Sequence, residues 1–587
     1  VPVDFLVHAS LQMNVSEYVT EFLHRAGVRA AFELSGGMIM HLLDAVQRDG
    51  RLQLVNVYHE QAAAFAADAV GRMTGVPGVA FGTSGPGAIN LLTGVGSAFF
   101  DSSPAVFITG QVNRHEQRGN RKIRQLGFQE TDVVEMATPI TKWACRITDA
   151  SQVPDALCRA FDIAVSGRPG AVLLDIPMDV FRSAVEAPMR SWVHPQNADS
   201  AVSTGGIAEF CTRLNEAIRT AQRPLILAGS GVRAAGCQTA FREFCRAAGL
   251  PVVWSLLACD LLGHADSHAV GMIGTYGNRW ANLAVAHSDL LLVLGSRLDI
   301  RQTGADTQSF AAGRRVFHVD IEAGEINNRV LGCDGLQADL RQFLTTAINM
   351  VQSAQNDEWL QQIRSLRQQW PDTSELSGCP GINPNVLMHQ LSANRAPAAW
   401  CVDVGLHQMW AAQSLEISES SRFLTSGGMG AMGFALPAAL GVAFACEKSQ
   451  PVVVIAGDGG FQLNIQELQT VVHHHLPIKI VVMNNRSHGM TRQFQDTYFG
   501  GRYAGTVWGY STPSFAAVAA AYGLRSECVT DPREVLSSVE RFWADPLEPC
   551  LLEVAIETGV NAYPKLAFGR PISEMEPFAK PVEMEAT

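Results

Sequence analysis

Two short segments in the last third of the chain place oxygen donors where a divalent cation could be held. Gly457-Asp-Gly-Gly460 follows the apolar run Val452-Val-Val-Ile-Ala456, and Asn484-Asn485 follows Ile480-Val-Val-Met483. Each run has the length and β-branched content of a buried strand, and a helical segment separates them. Asp458 and Asn485 are therefore expected at the ends of two strands of one parallel sheet, where such sheets bind ligands. A hard cation takes about six oxygen ligands. Asp458, the side-chain oxygen of Asn485 and one backbone carbonyl supply part of that shell and leave positions for phosphate oxygens and water. On this motif alone, a strand-end turn beside an unrelated Asn pair stays open. A second candidate is Gly229-Ser-Gly231 after the strand-like Pro224–Ala228, with Asp320 closing a later run. Glycines that admit a pyrophosphate and a carboxylate for ribose hydroxyls make a nucleotide crevice. The full GxGxxG spacing is missing, so a tight turn without ligand fits equally well.

The elements that must carry these residues recur in three blocks. Apolar runs of strand length end in Gly-rich turns and lead into helix-like segments, the pattern of parallel α/β domains. The first block spans residues 13–185, with strands expected at 79–83, 105–110 and 171–176. The second spans 205–345 and the third 384–565, followed by a Pro- and Glu-rich tail, 566–587. A stretch containing Pro188, Pro195 and Asn197, and the polar, Gln-rich residues 352–382, read as linkers. The fold class is α/β: three domains, each a mostly parallel sheet flanked by helices.

Composition narrows the function classes. The chain has 587 residues and a net charge of −12, is 47% hydrophobic and only 17% charged. That is ample apolar material for several cores and excludes intrinsic disorder. A pI near 5.7 gives no overall pull toward nucleic acid. No run approaches the ~18 apolar residues of a membrane span; the best, Phe434–Cys446, is short and contains Pro437. Residues 1–12 lack a basic segment followed by an apolar run, so no secretory signal is expected. Twelve cysteines without a CxxC pair read as buried apolar groups of a cytoplasmic protein rather than a zinc or disulfide framework. The low charge points to surface buried between subunits.

The motifs together carry a resemblance. GDGG…NN resembles the thiamine diphosphate motif, and residues 457–468 with 483–496 are similar to acetohydroxyacid (acetolactate) synthase. So are TSGPGAINLLTG (83–94), GFQET (127–131), DVGLHQMWAAQ (403–413) and TSGGMGAMGFALPAA (425–439). The resemblance covers all three blocks in order. It implies an aminopyrimidine-binding domain, a central domain and a diphosphate-binding domain, with cofactor held between the first domain of one subunit and the third of another. A homodimer is then the smallest active unit, and a homotetramer is the alternative. Thiamine diphosphate and Mg²⁺ are the implied cofactors, with a structural FAD in the central domain.

By the same resemblance, Glu60 addresses the aminopyrimidine ring. It opens an Ala-rich helix in apolar company, which suits a carboxyl sharing a proton with a weakly basic nitrogen. Without the resemblance it would pass for a partner of a helix dipole. Met432 matches the apolar wedge under the cofactor, and the backbone of Gly430 and Met432 the pyrimidine edge. His407 and Gln408 match diphosphate contacts, with Leu406 where a polar Gln is usual. Asp458, Asn485 and the carbonyl of Ser487 match the metal ligands, beside Gly459 and Gly460. Arg168, Gly229, Gly231, Arg297, Arg301 and Asp320 match FAD-binding positions.

The first domain lacks the His-His pair of simple decarboxylases, since its loop reads Gln111-Val-Asn-Arg-His-Glu-Gln117. Gly36-Gly37 and Phe128-Gln129 resemble the carboligase pattern instead, which makes Gly36, Phe128 and Gln129 candidate catalytic positions with Glu60. The implied reaction decarboxylates pyruvate and transfers the two-carbon unit to a ketone. The acceptor side departs from acetolactate synthase: Met178 stands for a Lys, Ile273 for a His and Phe494 for a Trp. The loop 111–128 carries Arg118, Arg121 and Arg124, a candidate anion clamp whose alternative is a solvated face. These features, with a tail resembling the carboligases that attach a two-carbon branch to a deoxy keto sugar, favour a nucleotide-activated keto sugar or other bulky ketone. The alternative acceptor is a second pyruvate or 2-oxobutyrate. A flavin-dependent pyruvate oxidase is a third reading.

Overall fold

The computed structural model describes residues 13–194, 205–354 and 356–582. Residues 1–12, the second half of the first expected linker and the last five residues of the tail lie outside them. The chain divides into two compact units at residues 199/200. The first contains one six-stranded sheet, and the second contains two six-stranded sheets and a two-stranded one.

The sheet of the first unit comprises β1 (Ala30–Glu33), β2 (Gln53–Asn56), β3 (Gly78–Gly82), β4 (Ala105–Gln111), β5 (Trp143–Arg146) and β6 (Ala171–Pro177), in the order β2-β1-β3-β4-β6-β5. All its pairings are parallel. Strands β3, β4 and β6 are buried along their whole length. That explains why they read as largely apolar runs: a parallel sheet covered by helices on both faces has no polar side.

The second unit begins with β7 (Pro224–Ala228), β8 (Val252–Trp254), β9 (Ala269–Met272), β10 (Leu290–Leu294), β11 (Arg315–Asp320) and β12 (Asp334–Gln337), ordered β12-β11-β10-β7-β8-β9. This is the doubly wound dinucleotide-fold order, reversing between β7 and β10. The third six-stranded sheet, also in this unit, comprises β13 (Ala399–Val402), β14 (Arg422–Leu424), β15 (Val452–Gly457), β16 (Ile478–Asn484), β17 (Arg525–Val529) and β18 (Cys550–Ala555), ordered β14-β13-β15-β16-β18-β17. That order repeats the first sheet strand for strand. The sheets span 30–177, 224–337 and 399–555, each inside one of the expected blocks.

One expectation needs correction. The Gln-rich stretch 352–382 is no simple linker. It contains a helix, Asp357–Gln369, whose Trp359 and Ile363 enter the core of the central sheet, with Leu366 packed against it. Trp359 Nε1 donates to the Pro224 carbonyl at 3.2 Å. Its apolar residues recur at i, i+4 and i+7, one narrow helical stripe diluted by glutamine. The tail is also structured: β19 (Lys565–Leu566) pairs antiparallel with β20 (Met575–Glu576), and Leu566 N–H donates to the Thr275 carbonyl at 2.7 Å. Arg279, 5% exposed, pairs with Glu375, donates to the Glu576 carbonyl and lies over the rings of Trp370 and Phe578. All twelve cysteines are free thiols. No helix among the described residues is long and apolar enough to cross a membrane.

Candidate active site

At the C-terminal edge of the third sheet, Asp458 is the first residue of the helix Asp458–Leu463 after β15, and Asn485 follows β16. Arg486 adopts φ +54°, which turns the chain sharply between Asn485 and Ser487. The turn aims the Ser487 N–H at both Asp458 Oδ2 and Asn485 Oδ1, each at 3.2 Å. The carboxylate and the carboxamide oxygen therefore converge on one point. Burial pushes the Asp458 carboxyl up to about 6, against the pull of the Gly459, Ser487 and Arg486 N–H groups. The Tyr510 hydroxyl stands beside it, and a Cβ on Gly459 would come within 2.8 Å of the His488 ring and 3.2 Å of that hydroxyl. Ser487 Oγ is buried without a partner.

The floor of this edge is Asp403, at the end of β13. Its carboxylate accepts the Val404 N–H at 2.7 Å and the Gly433 N–H at 2.9 Å, and burial raises it to about 6. Asp403 thus anchors the loop holding Gly430 (φ +70°) and half-buried Met432, and a Cβ on Gly460 would press on it at 3.0 Å. His407 accepts the Gly457 N–H on Nε2 at 3.2 Å, and burial lowers it to about 3. The ring is a neutral support of the Asp458 turn and offers no charge to a phosphate. Gln408 is fully buried, and its side-chain amide bonds to Thr425 Oγ1 at 2.6 Å. Leu406 is buried, and a Cβ on Gly489 would strike its Cδ1 at 2.6 Å. Phe494 is exposed on the helix Gly489–Tyr498 and packs on Tyr498, 4.6 Å between ring centroids.

At the corresponding edge of the first sheet, Glu60 opens the helix Glu60–Thr74 and is 6% exposed. Asn90 Nδ2 donates to its Oε2 at 3.0 Å. Thr83, just after β3, fills the space beside it. A Cβ on Gly36 would overlap Thr83 at 2.4 Å, and one on Gly87 would meet Thr83 Cγ2 at 2.8 Å and Glu60 Oε1 at 3.1 Å. The two glycines thus let the Gly36 turn and the Glu60 carboxyl close on one threonine. Gln129 holds φ +67° and packs against Gly85, whose missing Cβ would lie 3.0 Å from it; Phe128 is 79% exposed. The basic loop is tied by Glu130, which accepts the N–H groups of Arg118 (2.6 Å) and Leu126 (2.8 Å). The guanidinium groups of Arg118 and Arg121 donate to carbonyls of their own loop; Arg121 and Arg124 are exposed and Arg118 is half-buried. Met178 is half-buried at the first turn after β6, and Arg168 donates to Ser102 Oγ at 2.7 Å.

In the central sheet, Gly229 and Gly231 stand at the β7/β10 reversal. Their missing side chains serve loop packing: a Cβ on Gly229 would lie 2.1 Å from the Gly295 carbonyl oxygen, and one on Gly231 2.7 Å from Gly295 Cα. On the same edge, half-exposed Arg297 faces Asp299 at 3.5 Å, Arg301 is exposed, and Asp320 ends β11 at 7% exposure. Ile273 is 4% exposed within the apolar core, so it does not line an open channel in this unit.

The donor sets fit the implied groups. Among the described residues no cluster of three or more His, Cys, Asp or Glu is placed to hold a metal ion. An ion at the third sheet would thus rely on Asp458, the Asn485 oxygen, a backbone carbonyl and oxygens of its ligand, the set expected for Mg²⁺ on a diphosphate. Guanidinium groups and a strand-end carboxylate at a sheet reversal fit the phosphates and ribose of a dinucleotide. Sequence reasoning overlooked Asp403, Asn90 and Thr83, although each lies inside a motif already singled out.

Comparison with known proteins agrees along the whole chain. Residues 13–136, 211–347 and 403–554 match the N-terminal TPP binding domain, the central domain and the C-terminal TPP binding domain of thiamine pyrophosphate enzymes. The acetolactate synthase isozyme 2 large subunit of Escherichia coli (strain K12) is 36% identical over 565 residues, covering 96% of this chain and 99% of the relative. The acetolactate synthase large subunit of Parasynechococcus marenigrum (strain WH8102) is 36% identical over 94% of this chain and 89% of its own, and that of Porphyra purpurea 33% over 95% and 94%. With strand-end oxygen donors on the third sheet, a buried glutamate on the first and relatives matched over nearly their full length, the chain belongs to the thiamine diphosphate-dependent enzymes of the acetolactate synthase-like family.

Proposed function

We propose that the protein is an acetolactate synthase: it decarboxylates pyruvate and joins the two-carbon unit to a second 2-oxo acid. The observation that carries this reading is the full-length similarity to acetolactate synthase large subunits, with Glu60, Asp458 and Asn485 all in place. Thiamine diphosphate, when bound, supplies the electron sink that lets the C1–C2 bond of a 2-oxo acid break. The chain's residues do the rest. Asn90 occupies Glu60 Oε2 and leaves Oε1, beside Gly87, to exchange a proton with a ring nitrogen. Asp458, Asn485 and the Ser487 carbonyl hold Mg²⁺, and Met432 supports the cofactor from its glycine-flanked turn. In the balanced reaction CO₂ leaves the first 2-oxo acid, the retained electron pair bonds to the ketone carbon of the second, and that ketone's oxygen takes a proton. FAD in the central crevice and an assembly of at least two copies belong to the same proposal.

The bulky keto-sugar acceptor is the second reading, favoured by the uncharged Met178 and the exposed arginine loop. It loses weight because the Arg118 and Arg121 guanidinium groups already donate to their own loop, and because the relatives are acetolactate synthases. Product analysis by mass spectrometry separates the two. Enzyme, thiamine diphosphate, Mg²⁺ and labelled pyruvate, with and without nucleotide keto sugars, should give labelled acetolactate in both mixtures. A sugar adduct as the only ligation product would replace the main reading with the second.

A further inference from the structure

A buried carboxylate that the proposed chemistry does not use lies between the two sheets of the second unit. Asp260, 1% exposed, follows the short turn Leu256–Ala258 after β8. Arg233 pairs with its Oδ1 at 3.0 Å and donates to its carbonyl at 3.0 Å. Arg422 Nε donates to its Oδ2 at 2.9 Å, and the Phe423 N–H to the same oxygen at 3.0 Å. Burial would raise this carboxyl, but the two guanidinium groups hold it below the usual carboxylate range. The arginines come from opposite directions. Arg233 lies two residues beyond Gly231, in the turn that packs on Gly295 at the central crevice. Arg422 opens β14, a three-residue edge strand that leads into Thr425 and the loop carrying Gly430 and Met432.

The segment around Asp260 is fastened at both ends. Ser255 N–H donates to the carbonyl of Ala228, the last residue of β7, at 3.0 Å. Leu257 lies so close to Gly427 that a Cβ there would come within 2.7 Å of it. Ser426 Oγ in turn accepts the Ala431 N–H at 3.0 Å. Residues 255–260 thus form one packed bridge from the glycine turn of the crevice to the Met432 loop. Packed, hydrogen-bonded chains of this kind carry coupling when both sites bias the same element.

We propose that Asp260 is a positioning residue that couples the two cofactor sites, so that a dinucleotide ordering the Gly229–Gly231 turn also orders the loop that receives thiamine diphosphate. This rests on the FAD and thiamine diphosphate reading given above. A first ligand that orders a shared segment lowers the ordering cost for the second, and the effect is reciprocal.

The test uses the full-length protein. FAD binding is titrated by flavin fluorescence with and without saturating thiamine diphosphate and Mg²⁺, and thiamine diphosphate by calorimetry with and without FAD. In the wild type each cofactor should tighten the other by the same factor, about fivefold or more. In Asp260→Asn both should still bind while the factor falls to about one. A purely structural role would weaken both cofactors and leave the factor unchanged, and that result overturns the proposal. A wild-type factor of one overturns it too, with the cofactor reading intact. Failure of the wild type to bind FAD at all removes both. If Asp260→Asn does not fold, Arg422→Gln is read by the same ratio, and an unchanged factor there is equally fatal.

Discussion

The first and third sheets share one strand order but equip their edges differently. In both, the order reverses between the first and third strands of the sheet, β1/β3 and β13/β15. At the first edge the segment after β2 delivers a buried carboxyl, Glu60, held by one amide and hemmed in by glycines. At the third edge the segments after β15 and β16 deliver Asp458 and Asn485, drawn onto the Ser487 N–H. The equivalent of the Glu60 position, after β14, carries the Met432 loop instead. One scaffold thus presents a buried carboxyl on one copy and a pair of converging oxygen donors on the other, and the difference lies in strand-end residues. Fold sets where a site can be; the loops set its chemistry.

Separating the two roles by substitution tests that division. The largest effect belongs to the first edge: Glu60→Gln should cut kcat by about 10²–10⁴-fold, the usual range for a general acid–base group. Thiamine diphosphate affinity, measured by calorimetry, should stay nearly unchanged. Asp458→Ala should do the opposite, weakening Mg²⁺-dependent cofactor binding by about 10–150-fold, the loss of one charge-assisted contact. If the two variants exchanged phenotypes, the division would collapse. Gly87→Ala sharpens the first arm. The new methyl would press on Glu60 Oε1 and Thr83, so turnover should fall by about 10–100-fold with binding intact.

The pH dependence of the third edge has a definite sign. With Asp458 raised to about 6 in the metal-free protein, protons compete with Mg²⁺ below that pH. Apparent Mg²⁺ affinity should be flat above about pH 7 and fall about tenfold per pH unit below about 5. A pH-independent affinity would show that Asp458 is not a ligand. The smallest effect lies away from both edges. His389 sits between Asp372 (2.7 Å) and Glu416 (3.1 Å), and these carboxylates, against the opposing effect of burial, raise it above its usual 6.5. A raised histidine contributes stability that is present below pH 6.5 and lost as pH rises through its folded value. His389→Gln should therefore cost about 1 kcal/mol at pH 6 and less at pH 8, read from urea midpoints.

Much of this was legible in the chain itself. Buried parallel strands such as β10 and β15 betray themselves as unbroken apolar runs, and Gly-rich turns mark their ends. The oxygen donors were legible because Asp458 and Asn485 fall just beyond two such runs. What escaped depends on direction rather than type. His407 and Gln408 stand in the right motif, but only the fold shows one propping Gly457 and the other turned onto Thr425. Ile273 looked like a channel residue and is core. The 357–369 helix was hidden because its single apolar stripe is thin, and the tail because its strands are two residues each. Asp260 had no motif around it, since its partners lie 27 and 162 residues away.

Hydrogen–deuterium exchange at the thiazolium carbon of bound thiamine diphosphate, followed by NMR after acid quench, reads the proposed role of Glu60 without a substrate. With cofactor and Mg²⁺ bound, the wild type should exchange quickly, whereas Glu60→Gln, equally saturated, should exchange at least about 10²-fold more slowly. Equal exchange rates in the two saturated proteins would contradict the assignment of proton handling to the first sheet's edge.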